Sequence, residues 1–550
     1  MRYLLAIVIG LWLGTPAHAD PTDTTPAEIL LGNRLFDDTR FAQFFAAHMG
    51  DSVNAPLAVG DPAMDTVQTA TGALPGPFAG QSMNCRQCHM DVQFKGVAGG
   101  GSRTYADFAR RTPITDRGDG QQLTTRNSQQ LMDASLRRPV GFFLHFDGEF
   151  PSGIDLVRGT LTGRNMGWLP TEAAQAIAHV ARVIREDDGT DPLGVEFGGA
   201  YAGQFRGTVS LQPAARPVPT EFAIDVTRAT DEEIVTAVAR FLTAYTDSLF
   251  ASRDAVGAFN GSPYDTFLRK NGLPIAPRRG ESDRVYSRRL AHGLTKLSAP
   301  AFVSEADGAF RLHQQPFVFG AEALRGLRVF LARPRGVAKR DGVGNCVACH
   351  PAPAFTDFGF HATGAAQDEY DAMHGGGTFA ALAVPALSER VANPDAFLPA
   401  SASHPLAQGP FRAVPAAESP GRTDLGLWNT FQNPDIGDAD QQREMNRAVC
   451  RALGAKACTA RRQNPAALLD AALALFKTPS LRDPSHSGPY LHTGQKDELE
   501  DVLHFYRDAA GLARRGVLRN GARELATIRM SDADAAAVVA FLRSLNEDFE

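Results

Sequence analysis

Apolar residues recur at helical spacing in several well-marked stretches. Residues 171–187 place Ile177, Val180, Ala181 and Ile184 on one face. Thr230, with Glu233 three residues on, opens a second amphipathic helix whose stripe is Ile234, Val238, Leu242 and Tyr245. Ser531 and Asp534 open a third in the same way, with Val538, Leu542 and Leu545 behind them. Thr25-Pro26-Ala27-Glu28 predicts a further start, Thr25 capping and Glu28 closing the box, followed by Ile29, Leu30, Leu35 and Phe36. Residues 319–331 form another helical run. Strand patterns are scarce. Residues 50–82, rich in Pro, Gly, Ala and Ser, predict a loop, as does Gly99-Gly100-Gly101.

The stretch Ala239-Arg240-Phe241-Leu242 and the later Val539-Ala540-Phe541-Leu542 share place and texture, each inside a closing helix. This predicts a mainly α, internally duplicated protein with long loops, its two similar domains meeting after Phe250 (20–250 and 251–550). The 550 residues, 43% of them hydrophobic and 21% charged, suffice for a sizeable core in each. A net charge of -6 argues against nucleic acid as a main partner.

The beginning of the chain changes the picture of compartment. Met1-Arg2, an apolar run from Leu4 to Leu13, and Ala17-His18-Ala19 read as a secretory signal peptide over residues 1–19, cleaved before Asp20. An uncleaved anchor is the alternative, although the run is short for a span. No later stretch is long and apolar enough to cross a membrane, so a periplasmic protein without a membrane span after cleavage is expected.

Candidate chemistry is concentrated in the six cysteines. Four lie in Cys85-Arg86-Gln87-Cys88-His89 and Cys346-Val347-Ala348-Cys349-His350. Cys-x-x-Cys-His is the attachment signal for c-type haem: two thiols bond the porphyrin edge and the next imidazole ligates iron. A zinc knuckle gives no reason for His to follow the second Cys twice, and a redox Cys-x-x-Cys would sit in a βαβ pattern that is absent. Two covalently bound haem c groups are therefore expected, with His89 and His350 as iron ligands. The remaining pair, Cys450 and Cys458, predicts a small disulfide loop in an oxidising compartment.

Reading outward from these motifs, the chain resembles the di-haem bacterial cytochrome c peroxidase and MauG superfamily. Phe476-Lys477-Thr478-Pro479-Ser480-Leu481-Arg482 followed by Gly488-Pro489-Tyr490-Leu491-His492-Thr493-Gly494 is similar to that family's "TPSLRN…PYxHxG" signature. Phe360-His361-Ala362-Thr363-Gly364 looks like its "FHNTG" element. Phe146-Asp147-Gly148, with Gly159 to Met166 beyond it, looks like "WDG…G…EM". Leu31-Gly32-Asn33-Arg34-Leu35-Phe36 looks like the opening "LGxxLF" helix.

The resemblance implies a haem peroxidase-like oxidoreductase, with one haem meeting peroxide and the other relaying or storing an electron. Its partners would be hydrogen peroxide, or a small-molecule or protein substrate, and a small redox protein as electron donor. Tyr506, fourteen residues after His492, stands where the second haem's distal ligand lies, and it is Tyr as in MauG rather than Met. Around the first haem, Phe146 replaces the family's Trp, Leu156 its distal Gln, and Met166 or Asn165 its distal Glu. No catalytic residue is thereby assigned. Met166 becomes either a thioether ligand or a core methionine, and Tyr105 stands where peroxidases carry an exchangeable His. The family's calcium site maps onto the side chain of Asn127 and the carbonyls of Ser487 and Pro489. Arg126 and Arg482 are candidate partners of haem propionates, and His145, His361, His374 and His492 are candidate pocket residues. An electron-transfer cytochrome without peroxidase activity, and a haem-based sensor, are the competing functions.

Overall fold

The computed structural model describes residues 25–69, 72–76, 78–89, 111–136, 143–310, 315–334, 342–461, 464–484 and 487–547. It is mainly helical, and one helix crossing occurs twice. In the first half the opening helix Ala27–Asp37 packs on the closing helix Asp231–Ser248. The contact is so close that a Cβ on Gly32 would lie 2.2 Å from the Phe241 carbonyl oxygen. In the second half Ala321–Leu331 packs on Asp532–Arg543, and a Cβ on Gly326 would lie 1.8 Å from the Ala537 carbonyl oxygen and 2.9 Å from Phe541 Cβ. Phe241 and Phe541 are the matching residues of the repeated Phe-Leu texture.

Both closing helices start as expected. Thr230 accepts from Glu233 N while Glu233 returns the bond to Thr230 N, and Ser531 and Asp534 do the same. The Ala173–Glu186 helix buries Ala176, Val180, Ala181 and Ile184, as its period predicts. The opening helix differs from expectation. Pro26, not Thr25, occupies the N-cap, with no side-chain bond there. Proline offers no side-chain acceptor, and its carbonyl takes the first helical bonds from Ile29 N and Leu30 N, so the helix begins one residue late. Within the stretch expected to be loop, Thr66–Thr69 pairs antiparallel with Gly72–Pro75.

Apolar side chains gather into three large clusters. The first draws on residues 27–249 and the second on residues 264–545. The third was not anticipated: Phe143 and Phe146 pack with Phe360, Trp428, Phe431, Met445 and Phe476. Its helix Ala439–Leu453 ends at a disulfide joining Cys450 to Cys458. A short antiparallel pairing of Phe360–His361 with Phe476–Lys477 fastens the "FHATG" element to the "FKTPSLR" element. Among the described residues no helix is long and apolar enough to cross a membrane.

A buried ion network docks this third cluster onto the first half. Arg126 meets Asp147 at 2.7 Å and grips Asp424 through Nε and Nη2 at 2.5 and 2.9 Å. Burial resists ionisation of Asp424, but the Arg126 guanidinium outweighs it and holds the carboxyl down at about 2.

Two outcomes follow from this packing. Gly326→Ala should cost about 1–3 kcal/mol through overpacking. Gly511→Ala, whose nearest neighbour is the flexible Arg515 guanidinium at 3.4 Å, should be neutral or gain up to about 1 kcal/mol; thermal melts of both variants test the contrast. For Asp424 the folded value lies below the unfolded 3.8, so its stabilisation is complete above about pH 4 and is lost as pH falls toward 2. Arg126→Gln should cost about 3–5 kcal/mol at neutral pH, because two buried carboxylates lose their partner. It should also flatten this part of the acid limb, which denaturant titrations along a pH series would measure.

Candidate haem cavity

Both Cys-x-x-Cys-His segments fold into the same single 3-10 turn, Cys85–Gln87 and Cys346–Ala348. In each, the histidine amide donates back to the first cysteine carbonyl, at 2.9 Å for His89 and 2.8 Å for His350. An asparagine precedes each turn and ties it to the end of the opening helix of its crossing. Asn84 donates to the Asp37 carbonyl at 2.8 Å, and Asn345 N donates to the Ala332 carbonyl at 3.0 Å. Asn345 also takes a left-handed φ of 50° and bonds Thr527 at 2.9 Å. The repeated crossing thus carries its motif in the same place twice.

All six residues line one cavity of about 2010 Å³, well above the ~300–1,000 Å³ of an ordinary small-molecule pocket. Cys85, Cys88, Cys346 and Cys349 stand outside the disulfide and are half-buried. Burial pushes the Cys88 thiol up to about 11 and the Cys346 thiol to about 12. Burial also takes both imidazoles down to about 4, so they are neutral and able to offer a lone pair. His350 Nδ1 lies 2.7 Å from the Phe355 carbonyl, which leaves Nε2 for a metal. His89 Nδ1 is buried and faces the Gln129 backbone, at a geometry short of a full hydrogen bond. Two cysteines plus one neutral imidazole, twice, facing a void of this size, fit two haem groups.

Tyr506, on the helix Leu499–Arg515, lines the same cavity beside the second motif. Burial, with Cys349 and Cys346 nearby, raises its phenol. Met166 sits in the turn Arg164–Met166, buried in the first cluster and lining the cavity. Leu156 and Asn165 line it too, so the three positions where the family pattern leads to a distal Gln and Glu carry no carboxylate. His492 is buried, stacked on Phe476 at 3.7 Å, with Phe146 edge-on at 6.4 Å. Burial holds its imidazole near 3, and among the described residues its Nε2 has no hydrogen-bond partner. Asn127 donates its backbone N–H to the His492 carbonyl and its side-chain amide to the Pro489 carbonyl at 2.5 Å. Ser487 lines the cavity beside them.

Some expectations are corrected. Arg482 is not free for a propionate: it is almost fully buried on Asp265 at 2.8 Å, donates to the Pro353 carbonyl, and lies over the Phe259 ring. Arg126 is likewise spent on Asp147 and Asp424. His374 stacks on Tyr370 and does not line the cavity. His361 lines it, with Nε2 at 3.2 Å from Asp357. Tyr105, Gly99-Gly100-Gly101 and the 1–19 leader fall outside the described residues. Two cavity residues were missed, Glu149 and Arg412, which bond each other from 263 positions apart. No local pattern could have paired them.

No family model matches the chain. A 73-residue stretch is 36% identical to a cytochrome-c peroxidase, IdrP2, of Pseudomonas sp. (strain SCT), covering 13% of this chain and 17% of that protein. A 73-residue stretch is 41% identical to the methylamine utilization protein MauG of Methylorubrum extorquens, covering 13% of this chain and 19% of MauG. The chain therefore aligns with less than a fifth of the length of these relatives. Among solved structures, the diheme peroxidase BthA from Burkholderia thailandensis overlaps 95% of this chain and 86% of its own, at a TM-score of 0.44 and 17% identity. Over these short stretches the chain is similar to a cytochrome-c peroxidase and to MauG, and it carries two Cys-x-x-Cys-His turns on one cavity.

Proposed function

We propose that the protein is a periplasmic di-haem oxidoreductase that reduces peroxide, or uses the oxidising equivalent on a small-molecule or protein substrate. The observation that carries this reading is the single cavity onto which both motifs open, each with two cysteines outside the disulfide and a neutral imidazole. Cys85 and Cys88 would hold one haem c and Cys346 and Cys349 the other, with His89 and His350 as iron ligands. The bound groups supply one-electron redox chemistry, and two of them in one protein match the two electrons that hydrogen peroxide takes up with two protons to give two waters. A small redox protein would supply the electrons.

Tyr506 is proposed as the second haem's distal ligand. A phenolate favours the ferric state, which suits that haem to storing an oxidising equivalent. The Cys450–Cys458 disulfide supports a periplasmic location after removal of residues 1–19. Asn127, Ser487 and Pro489 are proposed to hold calcium. The Asn127 amide already meets the Pro489 carbonyl, and turning it over would present Oδ1 beside that oxygen.

A second reading rests on Met166. Its buried position on the cavity suits it to thioether ligation of the first haem, which would close that site and leave an electron-transfer cytochrome.

Peroxide added to the diferric protein should shift or bleach the Soret band, and electron paramagnetic resonance should show one high-spin and one low-spin haem. Two low-spin signals and no response to peroxide would establish the electron carrier instead. Tyr506→Phe should alter the low-spin spectrum; an unaltered spectrum would remove Tyr506 as a ligand.

A further inference from the structure

The family resemblance leaves the first-haem end of the cavity without an acid/base group, yet the structure puts a histidine there by another route. The loop 144–150 is closed on itself, with Leu144 N donating to the Phe150 carbonyl at 2.9 Å. His145 stands in it with φ at +62°, a left-handed conformation uncommon for a residue with a side chain. This turn brings His145 Nδ1 to 3.0 Å from Glu149 Oε2. Arg412 clasps both oxygens of Glu149 from the other side, and Phe150 meets the imidazole edge-on at 4.9 Å. Among the described residues no hydrogen bond reaches His145 Nε2. The ring lines the cavity together with His89 and Met166, and it is near enough to His89 for the two imidazoles to interact electrostatically.

The charges around this ring are well defined. Burial works against ionisation of Glu149, but Arg412 and the bond from His145 outweigh it and hold the carboxyl well below its usual range. Asp147 is buried against Arg126, with Arg412 at 3.7 Å, and Asp424 is held by Arg126. His145, Asp147 and Glu149 are close enough together to suggest a metal site, since one ligand atom from each lies within 4.8 Å of the others. Both carboxylates, however, already carry a guanidinium, and a cation would have to compete with Arg126 and Arg412. An ionised Glu149 bonded to Nδ1 instead fixes the proton on Nδ1 and leaves the Nε2 lone pair as a base.

We propose that His145, oriented by Glu149 and Arg412, is the acid/base residue of the first-haem cavity. It takes the proton from one peroxide oxygen at Nε2 and delivers it to the other, so that the O–O bond breaks with its electron pair on the departing water. The net change is uptake of two protons and two electrons per peroxide, the electrons coming from the small redox protein. The proposal rests on the reading that this cavity meets peroxide.

Asparagine tolerates the left-handed backbone, so His145→Asn removes the imidazole with the least disturbance. Glu149→Gln keeps the shape and removes the orienting charge. Stopped-flow records of the Soret change after mixing with peroxide across pH ~5–9 should show His145→Asn slower by about 10²–10⁴-fold and without the wild-type pH dependence. Glu149→Gln should fall between. Hydrogen cyanide must also shed its proton on binding, so its association rate should fall in the same order, whether or not the protein turns over peroxide. Rates within about twofold of wild type in His145→Asn, for both ligands and with the haem spectrum intact, would overturn the proposal. If wild type ignores peroxide but its cyanide rate depends on His145, the acid/base role stands and the peroxidase reading falls. A wild-type protein that binds neither ligand overturns both.

Discussion

Arg126 has almost no access to water, and its guanidinium must therefore keep both of its carboxylates. Asp147 belongs to the loop after the first motif and Asp424 to the segment after the second, so one side chain fixes their separation. The same segment then clasps loop 144–150 from several directions. Thr430 donates to the Asp147 carbonyl, Gln441 to the carbonyls of Gly148 and Glu149, and Arg412 to the Glu149 carboxylate. A buried network of this kind is stable only when every member is satisfied. The cavity wall at the first motif is in this sense held by residues that lie nearly 300 positions further along the chain.

The helix crossings supply the rigid frame against which that wall is set. Gly32 and Gly326 allow backbone to touch backbone, and each opening helix hands its motif to the cavity through the asparagine before the first cysteine. The Cys-x-x-Cys-His side chains are thus presented by local turns on a duplicated scaffold. One difference between the halves is the segment carrying Arg412, Thr430 and Gln441, whose side chains bond loop 144–150.

That division explains what could be read from the amino-acid order. Cys85 to His89 and Cys346 to His350 are legible because attachment needs thiols and imidazole at fixed local spacing, and the Thr230 and Ser531 caps because a helix start is closed within four residues. The capping box at Thr25 failed locally, through the proline beside it. Arg126 and Arg482 were misjudged for a different reason. An arginine's partner is set by tertiary proximity, and Asp424 and Asp265 lie far away in sequence. The third cluster was illegible because Leu425, Leu427, Trp428 and Phe431 lie in short irregular elements that show neither a 3.6-residue nor a two-residue period. Tyr506, by contrast, was reachable by counting from His492, since both lie in one continuous stretch that ends in a regular helix.

The two motifs are equal in their turns and unequal in what surrounds their histidines. His350 Nδ1 is held by the Phe355 carbonyl, a bond that makes the opposite nitrogen a stronger donor to a metal. The corresponding contact of His89 is with the Gln129 backbone and falls short of full hydrogen-bond geometry at Nδ1. If both sites hold iron, as proposed, the stronger imidazole donor, with Tyr506 on the same cavity wall, would favour oxidised iron at the second. The same asymmetry appears in the proton-handling groups, because His145, Glu149 and Arg412 gather around the first site. On the proposed reading, electron storage and proton movement would belong to different motifs of one cavity, a division that follows from packing around the motifs rather than from the motifs themselves.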